Sequence, residues 1–568
     1  FGIMYCGDET GAFIGDVGYS TSKFGFGGED SPKIIFPSYA GSDGSVGDLT
    51  LNRNWGNSGF EILHCHGRPT SRKERAGTTL GHSGSVSSKK DVENQSIGSS
   101  CSSTDYGKSY MDVDGLVTNF NTWELLWEKA IQTSRVRDVS KWTSPASRQR
   151  QQHHQEVNVD QPLQLSNSEI SSRWGDNFTC LPHPICAVES GFTHYRNADV
   201  GLGSAAAAAV GRKQKETMTE LLIEKFSAPA VFLAPSPAMN AFATGRQNGL
   251  VLDLGGGGCR ATPIVDGLLL KHAQKRNGRG GEWLSDMQHQ LLLRDSNIKI
   301  HPRYTINKAS NKRSKDGNTR KTVYHSGNKV HSSFHENGIR QIMNEMKCGS
   351  HIVMPLYYYD EVLKKDILCK YDPDATDHIS EGESHNENNS RGINNDDNTS
   401  NPPTPTEAEI GNYELPDGTP INLKSNSKLT TLPDLLFHDL VDSTALSNMQ
   451  EVANFSSSLT TLPLHKLAHS SLSQVDIDAR KELSSNIILC GACSVFPDLE
   501  RRLSYELSSL TPSNTKVKII CPKTHIERKF ASWIGASVLT SLGSFQQLWL
   551  SKSEYEEYGV TLACQRFP

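Results

Sequence analysis

Val251-Leu252-Asp253-Leu254-Gly255-Gly256-Gly257-Gly258 is a short apolar run that ends in an aspartate and four glycines. Glycine has no Cβ, so backbone N–H groups after such a run can approach an oxyanion closely, and Asp253 beside them can hold a hydrated divalent cation. Read alone, such a stretch is more often a plain turn than a phosphate loop. A second stretch repeats the design near the start of the chain: Asp16-Val17-Gly18-Tyr19-Ser20-Thr21. Two such loops could clamp one polyphosphate from opposite sides.

Outward from these loops, patterned segments alternate with polar ones. Trp123, Leu126, Trp127 and Ala130 fall at i, i+3, i+4 and i+7, which predicts an amphipathic helix with Asn121 and Glu124 as its capping pair. Met218, Leu221 and Leu222 mark a helix before Phe226, and Ala230-Val231-Phe232-Leu233-Ala234 reads as a buried strand, so the layers are α/β. Phe530, Trp533, Ile534, Val538, Leu542 and Phe545 form a long helical stripe expected to pack in a core. Gly67 to Asp105, the stretch around Arg148 to His154, and Asp372 to Glu409 hold too few apolar residues to bury a face, and the first and last are expected to be disordered.

The motifs around the two loops resemble actin and the actin-related proteins over most of the patterned chain. Lys23-Phe24-Gly25-Phe26-Gly27-Gly28-Glu29-Asp30-Ser31-Pro32, then Phe36-Pro37-Ser38, is similar to the family's first phosphate loop and its exit strand. Gly115-Leu116-Val117-Thr118-Asn119, Tyr413-Glu414-Leu415-Pro416-Asp417-Gly418 and Asn486-Ile487-Ile488-Leu489-Cys490-Gly491-Ala492 resemble three further family segments. Glu527-Arg528-Lys529 through Ser541, Phe545-Gln546-Gln547-Leu548-Trp549 and Ser551-Lys552-Ser553-Glu554-Tyr555 resemble its C-terminal signature.

The resemblance implies an actin-like bilobed α/β fold of two ribonuclease-H-like lobes and four subdomains, with long polar insertions. Subdomain 1 is expected at 1–37, 110–244 and 532–568, and subdomain 2 at 38–109. Subdomain 3 is expected at 245–280 and 443–531, and subdomain 4 at 281–442. It also implies ATP with Mg or Ca in the cleft. The nucleotide would contact Asp16, Gly18, Tyr19, Ser20, Lys23, Asp253, Gly255, Gly256, Gly257, Glu345, Gly491, Ala492 and Lys529. Asp16 and Asp253 would face the metal, Lys23 the phosphates, Lys529 the adenine and Glu345 the ribose.

Hydrolysis needs an attacking water held in line and its developing charge stabilised. At the positions where actin orients that water with Gln and His, this chain has Ser236 and Arg260, and Gly256 stands where a third polar residue would be. Ser is too short to reach where a Gln amide would, and Arg cannot accept a proton. Tyr19-Ser20 also replaces a small Ser-Gly pair. The resemblance therefore implies ATP binding without efficient turnover, so no catalytic residue is assigned; the other reading, that Arg260 acts as an arginine finger in cis, stays open.

Gly27 to Lys33 and the tail Ser541 to Leu550 are most similar to the nuclear branch of the actin-related proteins. That implies a nuclear scaffold subunit of chromatin-remodelling and histone acetyltransferase complexes, paired with actin and holding an HSA-type helix of a Snf2-type motor or its acetyltransferase counterpart. Histones or DNA would be met through the complex. The groove for that helix maps to Phe242, Gly245, Leu268, Leu539 and Leu542, although periodicity alone reads Leu539 and Leu542 as core. A filament-forming ATPase is the alternative, set against by Ser236, Arg260 and the insertion from about Gly41 to Asp105.

Composition is consistent with these readings. Of 568 residues, 36% are hydrophobic, about 41% when Gly is counted and Tyr is not, a little under the usual share, as polar insertions would make it. The net charge of −5 gives no global basic surplus for coating a polyanion. The basic cluster Lys312-Arg313, Lys315, Arg320-Lys321 and Lys329 reads as a DNA-phosphate contact or as a solvated loop. No apolar run approaches the roughly 18 residues of a membrane span, so no membrane partner is expected. The 12 scattered cysteines read as free thiols of a reducing compartment, and His64-Cys65-His66 with Cys180 and Cys186 does not fit a structural zinc spacing.

Overall fold

In a computed structural model, two β-sheets each build a lobe around one of the aspartate-glycine hairpins. The structure describes residues 11–47, 49, 59–66, 116–142, 183–189, 204–295, 298–307, 323–324, 330–349, 352, 354–360, 365–368, 413–421, 427–438 and 462–567. The polar segments 67–105, 148–154 and 372–409, the basic residues Lys312, Arg313, Lys315, Arg320, Lys321 and Lys329, and also Gly115 and Cys180 lie outside the described residues.

The first lobe contains β1 (Phe13–Val17), β2 (Thr21–Phe26), β3 (Ile34–Pro37), β4 (Ile185–Glu189) and β5 (Ala230–Pro235). The second contains β6 (Gly249–Leu254), β7 (Cys259–Val265), β8 (Leu268–Leu269), β9 (Lys275–Asn277), β10 (Ile487–Cys490) and β11 (Ile519–Ile520). A C-terminal strand, β12 (Leu550–Ser551), returns to the first sheet, whose order is β12-β5-β4-β1-β2-β3. The second runs β8-β7-β6-β10-β11, with β9 also on β7.

The two sheets repeat one plan. β1 pairs antiparallel with β2 and parallel with β4, and β6 pairs antiparallel with β7 and parallel with β10. Asp16 and Asp253 thus occupy equivalent places at the carboxyl ends of central strands, where open α/β sheets bind ligands. The register carries the equivalence further: Asp16 lies opposite Lys23, and Asp253 lies opposite Arg260, each base seven positions after its acid.

Helices α1 (Phe120–Trp142), α2 (Ser236–Ala243), α3 (Gly281–Asp295), α4 (Ser332–Lys347) and α5 (His525–Thr540) cover the sheets. The expected stripe of α1 is buried, with Trp123, Leu126, Trp127 and Ala130 packing on Phe13 and Phe24. Its cap is a correction: Asn119 accepts from the backbone of Thr122 at 3.1 Å, so the helix begins before Asn121. Leu250, Leu252, Leu284 and Met287 belong to the core of the second lobe.

Helix α5 runs between the lobes against α2. Gly535 permits the approach, since a Cβ there would meet the Met239 carbonyl oxygen at 1.8 Å. The stripe read over Phe530 to Phe545 needs correction, because α5 ends at Thr540 and Phe545 turns inward from a separate 3₁₀ turn, Gly543–Leu548. Val538 and Leu542 are exposed, at 46% and 45%. Among the described residues, no helix is long and apolar enough to cross a membrane.

Opposite ends of the lobes also meet across the cleft mouth. Tyr39, Leu49, Phe60 and Ile62 of the first lobe bury Phe334 of α4, with Tyr304 packed alongside. The Ile62 N–H donates to Ser333 Oγ at 2.9 Å, and Gln341 Nε2 donates to the Tyr39 hydroxyl at 3.0 Å.

Candidate functional site: the interlobe cleft

The lobes enclose a cavity of about 730 Å³, within the range of small-molecule and cofactor sites. Its floor is the pair of hairpin turns. Gly18 N–H donates to the Thr21 carbonyl and Gly255 N–H to that of Gly258, closing each turn on its own strands. The turns also touch each other: a Cβ on Gly256 would lie 2.0 Å from Ser20 Oγ, and one on Gly257 would lie 2.8 Å from the Tyr19 ring. Only glycine allows that approach, so the residue type read as a phosphate cradle is also what lets the lobes close.

Both aspartates line the cavity. Asp16 is held, its Oδ2 accepting from Lys23 Nζ at 2.8 Å and from Ser532 Oγ of α5 at 2.7 Å. Burial pushes the Asp253 carboxyl up from its ordinary value, Arg260 and Lys23 pull it back, and Asp16 pushes it up again. Two carboxylates beside glycine turns, with a cation opposite each, suit a polyphosphate and its divalent ion. Arg260 is the counterpart of Lys23 in the repeated plan, and it lines the cavity together with Ser236, the first residue of α2.

The structure brings most of the expected residues together. Asp16, Gly18, Tyr19, Ser20, Lys23, Asp253, Gly255, Gly256, Gly257, Gly491, Ala492 and Lys529 all line the cavity. Gly491 has φ +93°, and a Cβ there would meet Asp253 Oδ1 at 2.6 Å, so that turn is glycine by necessity.

Glu345 is a correction. Its side chain is 46% exposed, Arg303 Nη1 donates to its Oε1 at 2.7 Å, and it does not line the cavity. The buried stripe of α4 is Ile342, Met343 and Met346, with Ile339 against it. At about 100° per residue, Glu345 falls on one flank of that stripe while Asn344 and Lys347 fall on the other, which is the cavity side.

Of the groove residues, Phe242, Leu268 and Leu542 are exposed, at 39%, 71% and 45%, and Gly245 has φ +66° with open space where a Cβ would point. Leu539 is corrected to core: it is 7% exposed and packs with Ile14, Met239 and Trp533.

Sequence reasoning assigns no site role to several polar cavity residues, among them Glu282, Asn344, Lys347, His66 and Ser532. Glu282 had a readable signal, since Gly280-Gly281-Glu282 opens a helix in the manner of an anion-binding turn. Burial pushes the Cys493 thiol, on the same wall, up to about 11, so at neutral pH it is an uncharged lining group.

Comparisons with known proteins agree with the geometry. The sequence profile of the family described as Actin matches residues 7–568. "Actin-related protein 4" of Arabidopsis thaliana is 27% identical over 570 residues, covering 100% of both chains. The protein of that name in Oryza sativa subsp. indica is 27% identical over 578 residues, again covering 100% of both. That in Mycosarcoma maydis is 26% identical over 597 residues, covering 99% of each.

Proposed function

Because this chain belongs to the actin family, we propose that it is an ATP-binding, poorly hydrolysing scaffold subunit of nuclear chromatin-remodelling and histone acetyltransferase complexes. It pairs with actin and holds an HSA-type helix of a Snf2-type motor in the groove beside Phe242, Leu268 and Leu542. The full-length likeness to proteins named Actin-related protein 4 supports the nuclear assignment, and the four-subdomain division belongs to the same reading. The nucleotide with its divalent ion supplies a charged wedge that binds both lobes. Asp16 and Asp253 would face the ion, the hairpin N–H groups and Lys23 the phosphates, and Lys529 the adenine.

The observation that carries this reading is the pair Ser236 and Arg260 on the cleft wall. A guanidinium donates hydrogen bonds and stabilises charge but cannot take a proton, and the serine hydroxyl at the start of α2 is short. This wall favours a triphosphate in its ground state and offers little to orient water. Nucleotide at about a thousand times its dissociation constant would add about 4 kcal/mol to folding stability, which is a sufficient role for it in a scaffold.

The reading is tested by tagging the protein, purifying it gently and identifying its partners. Recovery of actin with a Snf2-type motor or an acetyltransferase assembly is expected, and recovery of neither would sink it. Salt-induced polymerisation of the pure protein would favour the filament-forming alternative.

A further inference from the structure

Lys347 is 7% exposed, and its ammonium donates to three uncharged oxygens: the Gly281 carbonyl at 2.5 Å, Ser285 Oγ at 2.7 Å and Asn344 Oδ1 at 2.8 Å. An ammonium has no acceptor, so whatever atom of Asn344 faces it must be the oxygen. Ser285 Oγ, which also accepts from Lys347, lies 2.8 Å from the same Asn344 oxygen and 3.0 Å from the Gly281 carbonyl, and its single proton serves one of the two. The carboxamide of Asn344 is therefore locked: its oxygen is committed to the wall, and the NH₂ group is what remains for the cavity that Asn344 lines.

The place of this amide along the cavity follows from its neighbours. On one side, Gly281 N–H donates to the Gly255 carbonyl at 3.0 Å and Glu282 N–H to that of Gly256 at 2.9 Å, which joins α3 to the glycine hairpin. On the other, a Cβ on Gly281 would touch Cys493 Sγ at 3.0 Å, and Cys493 follows Gly491 and Ala492 on the wall shared with Phe496 and Lys529. Asn344 thus lies between the turns suited to phosphates and the wall suited to a base, at the level of a sugar.

We propose that Asn344, oriented by Lys347, reads the sugar of a bound nucleotide as a hydrogen-bond donor only, so that the site tolerates nucleotides lacking one sugar hydroxyl. This rests on the nucleotide-binding reading above. A carboxylate at this level would demand that the sugar hydroxyls donate, through charge-assisted bonds, and would reject an analogue lacking one. A neutral N–H donor asks only for an oxygen, and a neutral bond discriminates by about tenfold. Lys347 acts here as a positioning residue.

The test is competitive binding of ATP, 2′-deoxy-ATP and 3′-deoxy-ATP with magnesium to the full chain, and it needs no variant to begin. Each deoxy analogue is expected to bind within about tenfold of ATP. ATP bound with a deoxy analogue weaker by a hundredfold or more overturns this inference and leaves the nucleotide site standing, whereas absence of ATP binding overturns both. In Asn344→Leu the remaining preference for ATP should vanish, and in Lys347→Met, where the amide can turn over, the preference should change. Unchanged ratios in both folded variants would contradict the assignment, since a purely structural role would alter stability and leave the ratios alone.

Discussion

Ser20 Oγ donates to Glu282 Oε1 at 2.8 Å, tying the turn after the first central strand to the start of a helix in the opposite lobe. Glu282 is 8% exposed, so its carboxylate depends on donors of this kind in place of water. Ser20→Ala removes the donor and should lower the unfolding free energy by about 1–3 kcal/mol. Ser20→Thr, which keeps a hydroxyl, should recover most of the loss. Urea titrations of the three proteins without nucleotide check this, and equal midpoints would show that the bond does not hold the lobes.

Asp253 gives an opposite sign. Burial raises its pKa, so the charged carboxyl costs stability at every pH above the ordinary carboxylate value of about 3.9, and the cost is complete above the raised folded value. Asp253→Asn should match or exceed the wild-type melting temperature without ligand. If a divalent ion with nucleotide compensates the buried charge, the same variant should gain less from magnesium and ATP. Thermal shifts with and without magnesium-ATP separate the two effects.

The contact across the cleft mouth should govern exchange. Phe60 and Phe334 meet edge to face at 5.8 Å inside a buried cluster that joins the lobes. Phe334→Ala should cost about 3–5 kcal/mol of stability and speed the release of a fluorescent ATP analogue chased with excess ATP. A large loss of stability with an unchanged release rate would mean that the mouth opens by another route.

A fourth expectation concerns acid. Burial lowers the pKa of His289 and His335 in the second lobe; Arg340 and His335 oppose, and Asp286 favours, a charge on His289. Their folded pKa values lie below the unfolded value of about 6.5, so the unfolded chain binds more protons in that window and stability falls as pH drops below about 6.5. His289→Gln should flatten the decline in urea midpoint between pH 7 and pH 5. A decline as steep as in the wild type would assign it to other groups.

These sites differ in how readable they are. The hairpins around Asp16 and Asp253 are legible because the chemistry sits in consecutive residues and the strand, acid, glycine order occurs twice. The facing residue of α4 is harder, because choosing between Glu345 and Asn344 depends on which side of the Ile342, Met343 and Met346 stripe faces the cavity, and that is set by the packing of α3 against α4. Leu539 and Leu542 lie three apart and both read as core by periodicity, yet the end of α5 at Thr540 leaves the first buried and the second exposed. The closure of the mouth by Phe60 and Phe334 joins residues 274 positions apart, and nothing local in the chain announces it.

The central claim is that the cleft holds ATP and leaves it intact. In a single-turnover experiment, purified protein in excess is mixed with magnesium and γ-labelled ATP, and both bound nucleotide and free phosphate are followed. Label retained on the protein as ATP over hours is the predicted result, with Arg260 and Ser236 offering no base to an attacking water. Release of labelled phosphate within minutes, from protein shown to have bound the ATP, would contradict the account.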